Sequence, residues 1–176
     1  MGITDMMLDP LARGYARGEV RRYRLGGGKM FPGGRGPLRG GGGSWLASSV
    51  DAVRFLCALD GSRGKPALSQ QSVKQMLSRL PTARPHRDGS YTGLGWDVVQ
   101  PRDGGFLYHK NGGVPGIATY MEHRPDGVNW ALFFNASPGA GSAEKAGAWR
   151  RPIKEAIEKT EQWPDVDLFR KYRRSR

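Results

Sequence analysis

The residue types best suited to chemistry fall in one short run, Tyr108-His109-Lys110-Asn111-Gly112-Gly113-Val114-Pro115-Gly116, where a lysine closes an apolar stretch and leads straight into Asn, Gly and Gly. Two readings of this run stand side by side. In a strand Lys110 shares a face with Phe106 and Tyr108, so it can be a strand-end lysine whose ammonium reaches water past aromatic neighbours. In the functional reading Lys110 fixes an anionic group and Asn111 hydrogen-bonds a substrate amide or carboxylate. Gly112 and Gly113 then remove side chains so that a ligand can lie against the strand edge.

Other candidates carry plainer readings. Gly26-Gly27-Gly28-Lys29-Met30 is not a phosphate-binding loop, because Met follows the lysine and no strand precedes it. Arg35-Gly36 and Arg39-Gly40-Gly41 supply one complete Arg-Gly-Gly triplet, which reads as flexible loop ahead of an RNA-binding segment. Gly139 and Gly141 lie between a strand and a helix, as in a dinucleotide-binding turn, but Glu144 stands at the third glycine position and repels a pyrophosphate. That run is read as a helix cap. His86, His109 and His123 are scattered, with no Cys, Asp or Glu at metal-ligand spacing, so no metal and no cofactor are assigned. Cys57, the single cysteine, sits in an apolar periodic segment and reads as a buried thiol that forms no internal disulfide.

The elements that must hold these groups follow from length and pattern. A chain of 176 residues fits one domain, and 38% hydrophobic content with 27 glycines makes its core lean. Lys and Arg outnumber Asp and Glu by 28 to 16, a net charge of +12, which points to anionic partners: nucleic acid, phosphate, an acidic membrane or a carboxylate substrate. No apolar run has the length of a membrane span, and the first residues carry no signal-peptide pattern. The chain reads as soluble, and the compartment is left open. Met6 stands where N-myristoylation requires Ser or Thr, so the initial Met-Gly is not read as a lipidation site.

Residues 1–44 read mostly as a Gly/Arg-rich loop, and 164–176 as a basic, frayed tail. A helix is expected within Ser44–Gly61, capped by Ser48 or Ser49, carrying Val50, Val53, Phe55, Leu56 and Leu59 at roughly helical spacing, with Gly61 just past its end. A second is expected over Leu68–Leu80, capped by Ser69 and stopped by Pro81. From Thr92 to Asn135 the pattern shortens to β-rich runs separated by turns, predicting three or four antiparallel strands. Val128–Asn135 is apolar in both parities, so that strand should be covered on both faces. A last helix is expected from Ser142, kinked at Pro152 or built as two pieces with the second beginning near Arg151. The fold class is α+β: an antiparallel sheet, the last helix on one face and the two earlier helices on the other.

Several stretches, taken in order, resemble the serine β-lactamase and penicillin-binding superfamily, especially its class C and esterase-like branch. MGITDM resembles the Leu-Gly-Met-Thr-Asp-Thr segment, GGGGSWLASSVDAVRFLCALDG the Gly-Gly-hydrophobic-x-Ser-x-x-Asp helix, and LSQQSVKQML the Leu-Ser-x-x-Ser helix. YTGLGWDV is similar to the Tyr-Gly-Leu-Gly-Trp strand, and KNGGVPG to the Lys-Thr-Gly motif followed by Gly-x-x-Pro-Gly. The resemblance covers nearly the whole chain and implies a partial β-lactamase/transpeptidase-like fold. It gives Lys110 the role of the motif's basic residue, Asn111 that of its hydroxyl residue and Gly112 that of its glycine. Asn in place of Thr is a departure that bears on carboxylate specificity.

The same resemblance implies a Ser-x-x-Lys nucleophile and a Tyr-x-Asn motif upstream of MGITDM, so the chain reads as the C-terminal half of such a hydrolase, inactive alone. Ser62-x-x-Lys65 falls in a Gly-Ser turn that would hold neither side chain, and Ser142-x-x-Lys145 follows the strand motif instead of preceding it. The expected ligand is a small or peptide-like carboxylate. In the family, strands from the N-terminal part flank the last strand, so residues 128–135 should present an open edge that pairs with a second copy or a complementing N-terminal half. The alternative reading is a basic RNA- or anion-binding module using the Gly-Arg loop and the tail Phe169–Arg176, with nucleic acid the lesser expectation.

Overall fold

Helix α1 (Ser49–Asp60) begins where the sequence places it, and Ser48 is its cap. The Asp51 amide donates to Ser48 Oγ at 3.1 Å while the Ser48 amide donates to Asp51 Oδ2 at 3.1 Å, a reciprocal capping box. Gly61 ends the helix at φ 76°, the left-handed position that a residue without Cβ takes without strain. In this computed structural model, residues 3, 6–8, 14–24, 43, 45–102, 104–137 and 148–168 are described.

Helix α2 (Gln70–Leu77) is shorter than its periodicity, although its cap is Ser69 as expected. The reason is competition for its last carbonyls. The Leu94 amide donates to the Met76 carbonyl at 2.8 Å and the Tyr91 hydroxyl to the Leu77 carbonyl at 3.0 Å, so the chain from β4 takes the acceptors that further turns would need.

The main sheet has five antiparallel strands, β4 (Tyr91–Thr92), β5 (Asp97–Val99), β6 (Leu107–Val114), β7 (Ile117–His123) and β8 (Asn129–Phe134), hydrogen-bonded in chain order. This corrects the expected three or four: the Tyr91–Val99 run folds as two short strands because Gly95, at φ 83°, turns the chain back on itself between them. Strand β6 is also longer than expected. It runs through Lys110, Asn111 and both glycines and turns only at Pro115-Gly116, with Gly116 at φ 80°. Lys110 is therefore in mid-strand, not at a strand end.

Three short strands lie outside this sheet at the start of the chain, β1 (Met7–Leu8), β2 (Tyr23–Arg24) and β3 (Trp45–Leu46); β1 pairs with β3. β2 runs parallel to β9 (Ala136–Ser137), just beyond β8. Helix α3 (Arg150–Glu158) starts near the residue expected for a second piece, with Pro152 in its first turn, where the missing N–H costs no helical bond. Residues 138–147, including Ser142 and the expected first piece, lie outside the described residues, as do 25–42 and 169–176.

Strand parity sorts the core into two layers. Tyr108, Val98 and Trp96 face α1 and α2 and pack with Leu56, Leu59 and Leu77. Ala118, Tyr120 and Trp130 face the other way and pack with Leu132, Phe134 and, from α3, Ile153 and Ile157. Both faces of the sheet are covered, as the two-parity pattern of β8 requires. Leu56 and Val98 are wholly buried, and each such side chain contributes about 1.5–3 kcal/mol of burial. Cys57 is buried and unpaired, as expected.

Candidate functional site

Pairing around β6 is uneven. Its β7 side is matched along its whole length after Leu107, from Tyr108↔His123 to Val114↔Ile117. Its β5 side is matched only from Leu107 to His109, because β5 has three residues. Beyond His109 no strand among the described residues pairs with that side, so the edge next to Lys110, Asn111, Gly112 and Gly113 is open.

Alternation sends the four candidates to opposite faces. Lys110 and Gly112 share the α1 and α2 side with Met121 and Thr119, their partners across the ladder, whereas Asn111 and Gly113 lie opposite Tyr120 and Ala118. The Lys110 side chain is 43% exposed, and its Nζ stands 3.7 Å from Asp97 Oδ2. Asp97 is a neighbour that sequence reasoning missed: only the β5–β6 register brings it beside the lysine. At Gly112 a Cβ would lie 2.6 Å from Thr119 Oγ1, so the absent side chain makes room for the threonine hydroxyl, which donates to the Gly112 carbonyl at 3.3 Å. Gly113 is exposed.

The other face beneath this strand is polar and tightly bonded. Glu122, 2% exposed, accepts from the Tyr120 hydroxyl at 2.9 Å, Trp130 Nε1 at 3.3 Å and Arg150 Nε at 2.7 Å. Charge repulsion from Glu122 and burial push the Tyr120 phenol well above the ordinary tyrosine range, burial being the larger cause. His109 lies across the ladder from Glu122 and stacks on the Tyr120 ring at 5.3 Å. Its Nδ1 is buried and meets no hydrogen-bond partner among the described residues. Burial, helped by the positive charge of Arg150, holds the His109 imidazole below its ordinary value of 6.5.

The sign of the resulting pH dependence follows. Above 6.5 the ring is neutral in both the folded and the unfolded chain. As pH falls below that value the unfolded chain takes up a proton that the folded chain refuses, so stability drops until the folded-state value is passed. Carbon-bound ring protons of His109, followed by NMR, are expected to titrate with a midpoint below 6.5; a midpoint at or above 6.5 would contradict this burial.

A second polar group joins α1 to the sheet. Asn129 Nδ2 donates to Asp60 Oδ2 at 2.6 Å, and His123 Nδ1 lies 3.4 Å from the same oxygen, with Tyr108 stacked on the imidazole. Among the described residues no three His, Cys, Asp or Glu side chains form a metal-sized group. A cleft of about 290 Å³ lies nearby at the start of β6, between Leu59, Pro66, Leu68, Val73, Lys74 and Phe106; Lys110 does not line it. Ser62 sits in an exposed turn with its amide bonded to Asp60 Oδ1 at 2.7 Å, as its Gly-Ser context suggests.

Among the described residues no helix is long and apolar enough to cross a membrane. No protein-family model and no curated protein matches the chain. Its structure is similar to the crystal structure of a D-stereospecific amidohydrolase from Streptomyces sp., with a TM-score of 0.59 at 16% identity, over 82% of this chain and 42% of that one. That neighbour has the penicillin-binding/β-lactamase fold, so the α+β sheet described above is part of that fold. The chain spans less than half the length of the neighbour.

Proposed function

We propose that residues 1–176 correspond to the C-terminal part of a β-lactamase-related or penicillin-binding-like serine hydrolase domain and supply the substrate-anion wall of its site. The observation that carries this reading is the open β6 edge running on from an exposed lysine in a chain with this hydrolase-type fold. Lys110 attracts a substrate carboxylate, Asn111 hydrogen-bonds the amide or carboxylate, and the backbone of Gly112 and Gly113 receives an extended ligand as an added strand. In this reading the acylating serine is supplied from outside these residues, and Ser62 of Ser62-x-x-Lys65 lies in an exposed turn.

The Asp97 carboxylate tempers the wall. It sits within 3.7 Å of the Lys110 ammonium and competes with an incoming anion for the same charge. Titration of the ¹⁵N-labelled chain with benzylpenicillin should shift the amides of Asn111, Gly112 and Gly113. Lys110→Ala should weaken this binding by about tenfold, the worth of one charge-assisted hydrogen bond, while Asp97→Asn strengthens it. Equal binding by Lys110→Ala would remove the anion wall. Intact-mass measurement after incubation with the penicillin or an activated ester should show no adduct; a stable acyl adduct would overturn the inactivity of the isolated chain.

Strand β8 ends the order of the main sheet; the expected edge of 128–135 is shortened at Asn135, whose carbonyl accepts from this chain's own Tyr23 amide at 2.9 Å, and the rest of it suits a further strand from a second copy or from a complementing N-terminal half. A monomer in solution whose β8 amides exchange freely would contradict that pairing.

A further inference from the structure

The charges of this protein are segregated in a way that the proposed substrate wall does not use. On the α3 side four cations are matched: Arg150 with Glu122, Arg151 with Glu155, Lys154 with Glu158 and Arg124 with Asp126. Between Gly61 and Ser90, covering α2 and its two flanking loops, there are six Lys or Arg and one acid, Asp88. Arg63 pairs with Asp167 at 3.0 Å. Lys65, Lys74, Arg79, Arg84 and Arg87 are all exposed, and among the described residues none of them forms an ion pair. The lone acid stays ionised, its Oδ1 accepting from the amide and hydroxyl of Ser90 at 3.0 and 2.7 Å, but one carboxylate offsets only one of the six cations.

We propose that α2 and its flanking loops form a binding surface for the phosphate backbone of nucleic acid. The remaining chemistry of the surface favours this polyanion over an anionic bilayer. A helix that lies in a membrane needs an apolar face turned outward. Here the apolar residues Val73, Met76 and Leu77 pack against the core, and the outer positions are Gln70, Gln71, Lys74, Gln75 and Ser78. Glutamine amides and arginine forks bond sugar-phosphate oxygens, and the outer face of α2 offers no apolar residue to insert among lipid headgroups. Arg79, Arg84 and Arg87 follow α2 in the connector to β4, all three exposed. With Asp88 the single acid of the stretch, these cations can neutralise phosphates and release the counterions condensed on them.

The test uses the full chain and a fluorescent single-stranded oligonucleotide of about 20 nucleotides, read by anisotropy from about 50 to 200 mM salt. Wild type should bind with an affinity that falls linearly in log–log form. The variant with Lys74→Gln, Arg79→Gln, Arg84→Gln and Arg87→Gln, all on exposed sites, should melt like wild type. It should bind at least about tenfold more weakly and lose roughly 3 from the salt slope, about 0.7 for each phosphate contact removed. A chain cut after Leu168 should keep its binding. The proposal is overturned by any of three results: no salt-sensitive binding, a quadruple variant equal to wild type, or tighter binding to phosphatidylserine vesicles than to the oligonucleotide at equal phosphate.

Discussion

Arg150→Met is expected to lower the unfolding free energy by about 3 kcal/mol, because it strands a buried carboxylate. Glu122 is 2% exposed and, among the described residues, its only cationic partner at bonding distance is Arg150, at 2.7 Å. Tyr120 and Trp130 remain as neutral donors and cannot balance the charge. The helix suffers as well: α3 has no fully buried residue, so it is held by Ile153, Ile157 and this ion pair. Adding Glu122→Gln to Arg150→Met should recover most of the loss, since the amide oxygen still accepts from Trp130 Nε1, the amide NH2 can donate to the Tyr120 hydroxyl oxygen, and no charge is left behind. Urea titration of the four proteins of this cycle measures the coupling. A single Arg150→Met variant within about 0.5 kcal/mol of wild type would show that water reaches the carboxylate.

Gly93→Ala is expected to cost about 2 kcal/mol, for a reason of space. A Cβ at this position would lie 2.6 Å from the Met76 carbonyl oxygen. That oxygen cannot move away freely, because it accepts the Leu94 amide at 2.8 Å and belongs to the last turn of α2, whose next carbonyl holds Tyr91. Gly95→Ala is the control. Its φ of 83° makes a side chain strained, by about 1 kcal/mol, but nothing lies within 4 Å of the added carbon. The same urea titrations rank the two variants. If Gly95→Ala proves the more damaging, backbone conformation governs this corner and close packing does not.

Periodic patterns and punctuation were legible from residues alone. The α1 cap and stop, the Ser69 cap and the two covered faces of the sheet are local consequences of side-chain size, φ preference and alternation. The α+β class followed from their order. Ends set by competition between distant groups were not legible. Helix α2 stops at Leu77 because Tyr91 and Leu94 take its carbonyls, and no window of sequence around Leu77 contains those residues. Strand β6 continues through Lys110 and Gly113 because β7 supplies a full ladder, which outweighs the weak strand preference of Asn-Gly-Gly.

The chemistry near Lys110 divides in the same way. Its charge, its position after an aromatic run and the glycines beyond it are written in consecutive residues. That Asp97 answers the charge, that Thr119 fills the space over Gly112 and that Glu122 gathers Tyr120, Trp130 and Arg150 depend on register and packing between segments far apart in the chain. Local sequence encodes conformational preference and surface charge, which act through neighbouring bonds. Pairing, burial and the meeting of charges arise only when separate segments share a layer, so the tertiary structure alone decided them.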